Sequence, residues 1–382
     1  MRRMDHITFL VAAVIVTALA FDFTNGFHDT ANAMAASIAT GALRPKVAVL
    51  ISGVLNLVGA FVSTEVARTI SGGIVEDSLV TPGMIFAGLI GAIIWNLATW
   101  LLGLPSSSSH ALFGGLIGAV WVGAGQHGVH FGQVVQKIII PALASPLVAG
   151  LGAMFATYLA YRITRRGASG AVDRGFRIGQ IASASLVSLA HGTNDAQKTM
   201  GVITLTLISA GALGPDAGPP VWVITCAGLA IGLGTYIGGW RIIRTMGKGL
   251  TDIKSPQGFA AEAASTTVIL TSAHLGFALS TTQVCSGGIL GAGLGRRLAE
   301  VRWGVAGRMA AAWCITLPAA ASVGAVAAGV VVHGGTAGTI VIALVAAAVS
   351  GFIVYMSRRN PVTSGNVNED HAVPVRAQAA GV

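Results

Sequence analysis

Apolar stretches separated by short polar connections run through almost the whole chain, at 7–43, 47–64, 83–103, 110–125, 134–161, 178–212, 221–240, 259–275, 277–295, 303–332 and 338–356. A bilayer core of about 30 Å takes about 20 apolar residues per helix, so the pattern predicts an all-α, polytopic membrane protein. Two stretches are interrupted by polar residues: Asp22, Asn25, His28 and Asp29 in the first, and His191, Asn194, Asp195 and Lys198 in 178–212. A carboxylate at the centre of a membrane helix costs about 2.5–3.5 kcal/mol on insertion scales, so it has a partner or a function. These interruptions predict a broken helix in each half.

The chain repeats itself. Ser107-Ser108-Ser109-His110 with Gly114-Gly115-Leu116-Ile117-Gly118 matches Ser280-Thr281-Thr282-Gln283 with Gly287-Gly288-Ile289-Leu290-Gly291 at a constant offset of 173. Gly26-Phe27-His28-Asp29 matches Gly192-Thr193-Asn194-Asp195 at 166, and Thr40-Gly41-Ala42-Leu43 matches Ala210-Gly211-Ala212-Leu213 at 170. Three anchors in one order predict two structural repeats, 1–161 and 178–356, joined by a basic linker at 162–177 and followed by a polar, disordered tail at 357–382.

Charge sets the sides. Only 10% of the 382 residues are Asp, Glu, Lys or Arg, against roughly 25% in soluble globular proteins, which leaves too little charge for a water-facing surface. The net charge of +9 lies in short clusters between apolar stretches, at Arg44/Lys46, 162–177, 241–254, 296–302 and Arg358/Arg359. Such clusters mark cytoplasmic loops and not a nucleic-acid surface. With them inside, the path closes only if 83–125 and 259–295 are re-entrant hairpins entering from opposite sides. The halves are then inverted, the layout with which secondary transporters build one midplane site. Arg2 and Arg3 oppose this path, which puts the N-terminus outside. Met1-Arg2-Arg3 with Ala18-Leu19-Ala20 also fits a secretory signal, but the many stretches that follow favour a retained first span. Cys226, Cys285 and Cys314 lie in apolar stretches without metal-ligand spacing and read as buried small hydrophobes.

Pro105 and the four serines after it read as a helix start. A helix N-terminus presents free N–H groups and partial positive charge, which suits a phosphate-like oxyanion. Ser280-Thr281-Thr282 offers the same device from the other repeat. In the alternative reading these hydroxyls only satisfy backbone where an intramembrane segment breaks, and Gly114/Gly118 and Gly287/Gly291 are small-residue packing pairs.

Asn25-Gly26-Phe27-His28-Asp29-Thr30-Ala31-Asn32-Ala33 and Ala190-His191-Gly192-Thr193-Asn194-Asp195-Ala196-Gln197-Lys198 resemble the paired signatures of the PiT family of inorganic phosphate transporters, close to G-A-N-D-V-A-N-A in each half. Leu104-Pro105-Ser106-Ser107-Ser108-Ser109-His110 and Leu279-Ser280-Thr281-Thr282-Gln283 resemble its two hairpin tips. The resemblance covers about 7–356 and implies a cation-coupled phosphate symporter in the bacterial inner membrane, without a cofactor and not an enzyme. Carried over, Ser107, Ser108, Ser109, Ser280, Thr281 and Thr282 would contact phosphate. Asn32 and Asn194 would bind phosphate or orient the site, and Asp29 and Asp195 would hold the coupling cation. His28 and Lys198 depart from the pattern, each standing where Asn is usual.

A Lys ammonium offers donors and no acceptor, so Lys198 beside Asp195 could take the charge position that sodium would fill. That favours proton over sodium coupling. His28, His110 and His191 supply groups that titrate near neutral pH, or are satisfied structural histidines. Asp22 and Glu262 are further candidates for coupling, Glu262 alternatively a carboxylate snorkelling near Lys254. Open alternatives are a sodium-coupled symporter, a sulfate transporter, a divalent metal accompanying phosphate, and a homodimer. Gly167-Ala168-Ser169-Gly170 matches a string of intramembrane serine proteases but lies in the basic linker, outside any span.

Overall fold

The computed structural model describes residues 2–70, 73–76, 78–165, 167, 169–296 and 301–369. Its helices in chain order are α1 (Arg2–Ala39), α2 (Pro45–Gly59), α3 (Glu65–Ile70), α4 (Pro82–Leu101), α5 (Ser108–Ala124), α6 (Phe131–Val134), α7 (Ile140–Thr164), α8 (Ser169–Ser209), α9 (Val221–Ile237), α10 (Trp240–Arg244), α11 (Ser255–His274), α12 (Thr281–Leu294) and α13 (Trp303–Ser357). Proline in the first turn starts α2, α4 and α11, where its missing N–H has no helical partner to lose. Among the described residues four helices are long and apolar enough to cross a bilayer: Phe9–Ala39, Pro82–Leu101, Phe131–Thr164 and Trp303–Ser357. A fifth is added if Val221–Ile237 and Trp240–Gly249, bent by 61°, form one span. Leu143, Leu147, Leu151 and Phe155 stand exposed along α7, as Leu344 and Phe352 do on α13, and give these helices a lipid-facing side.

Both hairpins are present. Helix α4 turns back into α5 and α11 into α12, with Gly103 (φ 64°) and Gly276 (φ 74°) supplying the left-handed residue after the first arm. Isolated bridges Val75–Val129 and Thr251–Val301 tie the open ends of the two hairpins. Helix α13 is two arms, because Gly335 (φ 54°, ψ −130°) breaks it at the polar connection predicted between 332 and 338.

Each hairpin is seated against the last helix of the other half. Helices α4 and α5 pack on α13, and α11 and α12 pack on α7, while α1 packs on α9 and α8 on α2. Exchanging the halves returns the same set of neighbours. The paired glycines make the seating possible: a Cβ on Gly118 would strike the backbone carbonyl of Ala321 on α13, and one on Gly291 that of Gly150 on α7.

Four expectations are corrected. Helices α1 and α8 run unbroken through the polar motifs, because the polar side chains share one stripe that faces other helices, and Thr30 and Thr193 donate to their own helix at 2.7 and 2.9 Å. Helix α1 also continues through Ala18-Leu19-Ala20, so that string lies inside the helix that carries Asp29. The short helices α3 and α10 sit where connections were expected. The tail is held as far as Glu369: Arg244 donates to Asn366 O at 2.8 Å, Asn368 donates to Ile38 O at 3.2 Å, and Val367 is buried. Residues 370–382 lie outside the described residues. Of the cysteines only Cys285 is buried; Cys226 is half-buried and Cys314 exposed.

Candidate functional site

Asp22, Asn25, Asp29 and Asn32 follow one another at steps of three and four and so share one face of α1; His191, Asp195 and Lys198 do the same on α8. These faces meet at the interface of α1 and α8. Over them close the tips of the two hairpins, where Ser107 and Ser280 cap α5 and α12 by accepting from His110 N at 3.1 Å and Gln283 N at 3.3 Å.

Asp29 is fully enclosed. Its Oδ1 lies 2.6 Å from His28 Nδ1 and accepts from Ser108 at 3.1 Å and Thr282 at 3.3 Å. Its Oδ2 accepts from Thr281 at 3.5 Å and lies 3.9 Å from His191 Nε2. The far nitrogen of His28 faces Thr99 Oγ1 at 3.2 Å and Ser106 Oγ at 3.3 Å, which fixes the ring against the first hairpin.

Asp195 is equally buried. Lys198 Nζ approaches its Oδ1 to 2.5 Å, while its Oδ2 is met by Thr281 at 3.2 Å, Asn25 Nδ2 at 3.5 Å and His191 Nε2 at 3.3 Å. Lys198 also donates to Ser109 Oγ at 2.6 Å and to Leu279 O at 3.0 Å, so all three ammonium protons have acceptors in two hairpin tips and one carboxylate. His191 is oriented by Asn56, whose Oδ1 accepts from Nδ1 at 2.6 Å.

The two halves contribute by exchange. Ser108 donates to Asp29 where Thr281 donates to Asp195, and Lys198 reaches Ser109 where Asn32 reaches Thr282 at 3.1 Å. Positions 108/281 and 109/282 are related by the offset of 173, and 29/195 and 32/198 by that of 166. The result is a buried ring of hydroxyl, amide and ammonium donors around two carboxylates, with the N-termini of α5 and α12 beside it. Asp29, His191 and Asp195 offer ligand atoms within 4.8 Å of one another, a spacing that fits one metal ion. The Lys198 cation on the same Asp195 carboxylate opposes a divalent cation there.

Of the sequence-predicted residues, Asp29, Asp195, His28, Lys198, Asn32, Ser108, Ser109, Thr281 and Thr282 come together. Ser107 and Ser280 serve as caps, and Asn194 turns aside to donate to Phe277 O at 3.4 Å. Asp22 lies two turns before Asp29, outside the ring. Glu262 belongs to a separate buried network, accepting from Ser183 at 2.6 Å and Gln180 at 3.4 Å. It does not snorkel; Lys254 pairs instead with Asp252 at 3.2 Å. Sequence reasoning noted Asn25 and Ser106 within their motifs without giving them a role, and missed Asn56 and Thr99. A lone amide in the apolar 47–64 stretch was the available signal for Asn56. Thr99 carries none, since a hydroxyl within a span ordinarily bonds its own helix, as Thr99 also does to Trp95 O at 2.9 Å.

A separate groove of about 720 Å³ between α7, α12 and α13 is lined mostly by apolar side chains such as Leu143, Leu147 and Leu290, and reaches the tips only at His110 and Gln283. It lacks the donors of the ring.

The model of the phosphate transporter family matches residues 25–324. A protein of Mycobacterium leprae named a low-affinity inorganic phosphate transporter is 59% identical over 364 residues, covering 95% of this chain and 88% of its own. One of the same name from Bacillus subtilis is 41% identical, covering 85% of this chain and 98% of its own. The fold is similar to that of a solved protein described as the sodium-dependent phosphate transporter, with a TM-score of 0.71 at 22% identity over 85% of this chain and 99% of the other.

Proposed function

Because the chain belongs to the phosphate transporter family, a family of transporters and not of enzymes, we propose that it is a secondary active symporter that carries inorganic phosphate into the cell, coupled to protons. The observation that carries this reading is the paired set of hairpin-tip donors, Ser108/Ser109 and Thr281/Thr282, meeting Asp29 and Asp195 in one buried cluster. A tetrahedral oxyanion needs donors on several sides, and two helix N-termini with four hydroxyls, Asn32 and Lys198 supply them.

In the conformation described, Ser108, Thr281 and Thr282 donate to the carboxylates, while Ser109 donates to Leu279 O at 3.1 Å and accepts from Lys198. Phosphate takes the same donors, and its charge meets two carboxylates at short range in a medium of low dielectric. Entry therefore requires positive charge to arrive with it, which is the physical basis of symport. Lys198 already fills the charge position beside Asp195, which disfavours sodium there and favours a proton. The inverted relation of the two halves supplies alternating access: the ring opens to one side when one hairpin tip leaves it and to the other when its counterpart does.

The test is uptake of labelled phosphate by purified protein in liposomes, with pH and sodium gradients imposed separately. Accumulation driven by external acid without sodium is the expected result. A strict sodium requirement with no response to pH overturns proton coupling, and inhibition by sulfate but not by phosphate overturns the substrate.

A further inference from the structure

Among the described residues Asp22 is the buried carboxylate whose oxygens lack partners, in an interior where neutral groups such as the Asn96 amide are unpartnered too. It is fully buried on α1, and neither carboxyl oxygen has a hydrogen-bond partner. The side chains of Thr199 on α8 and Asn25 on α1 stand beside it, and Thr199 Oγ1 and Asn25 Oδ1 are themselves buried and unpartnered. A hydroxyl and an amide thus flank a buried carboxyl that no cation meets. The ionisable groups facing it are Asp195 and His191, both on α8. Helix α4 has no ionisable side chain along its length, and α9 has only Cys226 and the exposed Tyr236.

Among the described residues around Asp22 no cation is free to serve as counter-ion. Lys198 makes three contacts elsewhere, and His191 lies between Asn56 and the Asp29/Asp195 pair. An ionised carboxylate so placed is an uncompensated buried charge, which costs several kcal/mol. One proton changes the count. A neutral carboxyl donates its O–H to a neighbouring oxygen, and the Thr199 hydroxyl donates to the carbonyl oxygen that remains. Sodium would find only three side chains, fewer oxygens than it coordinates in water.

We infer that Asp22, with Thr199 and Asn25, is a proton site separate from the phosphate ring, and that it carries the coupling proton. It rests on the proton-coupled reading above. Asp22 lies seven residues before Asp29, about 10 Å along the helix axis, so the proton is held apart from phosphate. Asn25 is the link, since its Nδ2 donates to Asp195 Oδ2 at 3.5 Å. A proton bound at Asp22 leaves that amide to Asp195; an ionised Asp22 competes for it. The proton enters from the outer solution and leaves to the inner one with each phosphate carried.

The experiment compares the unmodified chain, Asp22→Asn and Asp22→Glu in liposomes, in phosphate counterflow at equal pH and in accumulation driven by an acid-outside gradient. For one coupled proton, accumulation rises about tenfold per pH unit. Asp22→Asn mimics the protonated state and is expected to keep counterflow while its accumulation ratio falls to about one; Asp22→Glu keeps both. Unchanged gradient-driven accumulation in Asp22→Asn overturns the proposal. So does loss of counterflow in an Asp22→Asn protein that is monodisperse and still stabilised by inorganic phosphate, because Asp22 would then belong to the ring. Absence of counterflow in the unmodified chain sinks the phosphate reading instead, and counterflow without any pH response sinks its proton coupling. If Asp22→Asn does not fold, infrared spectra at neutral pH decide: the carbonyl band of a protonated carboxyl moves in Asp22→Glu if the inference holds, and stays unmoved if it fails.

Discussion

Lys198 Nζ lies 2.6 Å from Ser109 Oγ, although the two residues are 89 positions apart and belong to different halves of the chain. The contact ties the polar stripe of α8 to the tip of the first hairpin and sets the charge of the cluster. Lys198→Met leaves Asp195 buried without its cation, a loss of about 3–5 kcal/mol for such pairs. Thermal unfolding in detergent should show a correspondingly lower midpoint.

Lys198→Asn places on α8 the residue that α1 carries at the equivalent position, Asn32. An amide oxygen replaces a fixed positive charge beside Asp195. Phosphate uptake by this variant is expected to gain a dependence on sodium, measured by exchanging sodium for choline outside the liposomes. Uptake equally indifferent to the two salts in variant and parent refutes the assigned role of the lysine.

Asp29→Asn keeps the shape of the side chain but removes its charge and one of the two acceptor oxygens that collect Ser108, Thr281, Thr282 and His28. Hydrogen bonds to charged groups contribute about 1.5–3 kcal/mol each. The loss of one such interaction alone is a fall of about one to two orders of magnitude in the initial rate of phosphate counterflow.

Gly291→Ala tests how the second hairpin is seated. An added methyl would meet the backbone of Gly150, and overpacking of this kind costs about 1–3 kcal/mol. Gly304→Ala, with nothing near its Cβ position, is the control. Only the first should lower the unfolding midpoint. Equal midpoints contradict the close contact of α12 with α7.

Glu262→Gln should leave counterflow and its pH response unchanged, since Ser183 and Gln180 can still bond an amide and the residue is outside the ring. A lost pH response would move the coupling proton from Asp22 to Glu262.

Much of this arrangement was legible in the sequence because repetition reports on three-dimensional equivalence. The offset of 173 paired Ser108 with Thr281 and Ser109 with Thr282, and each pair occupies equivalent places in the ring. Pro105 and the serine run marked a helix start in the segment where α5 begins, at Ser108. The helix break did not materialise, because a polar side chain in an apolar stretch reports where it must be paired and says nothing of whether the backbone bends. Helices α3 and α10 were hidden for a different reason. Val66 N and Ala67 N in the first turn of α3 donate to Gln197 Oε1 at 2.7 and 3.2 Å, a support from α8 that hydropathy does not register. Asp22 and Glu262 looked alike as lone carboxylates in apolar surroundings, and only the placement of Ser183 and Gln180 separates them.

The reciprocal seating of the hairpins has a consequence for how the chain can be divided. Since α13 covers α4 and α5 while α7 covers α11 and α12, a protein cut at the basic linker yields two fragments that each lack the wall behind their own re-entrant segment. Each half therefore depends on the other for the helix against which its hairpin is seated.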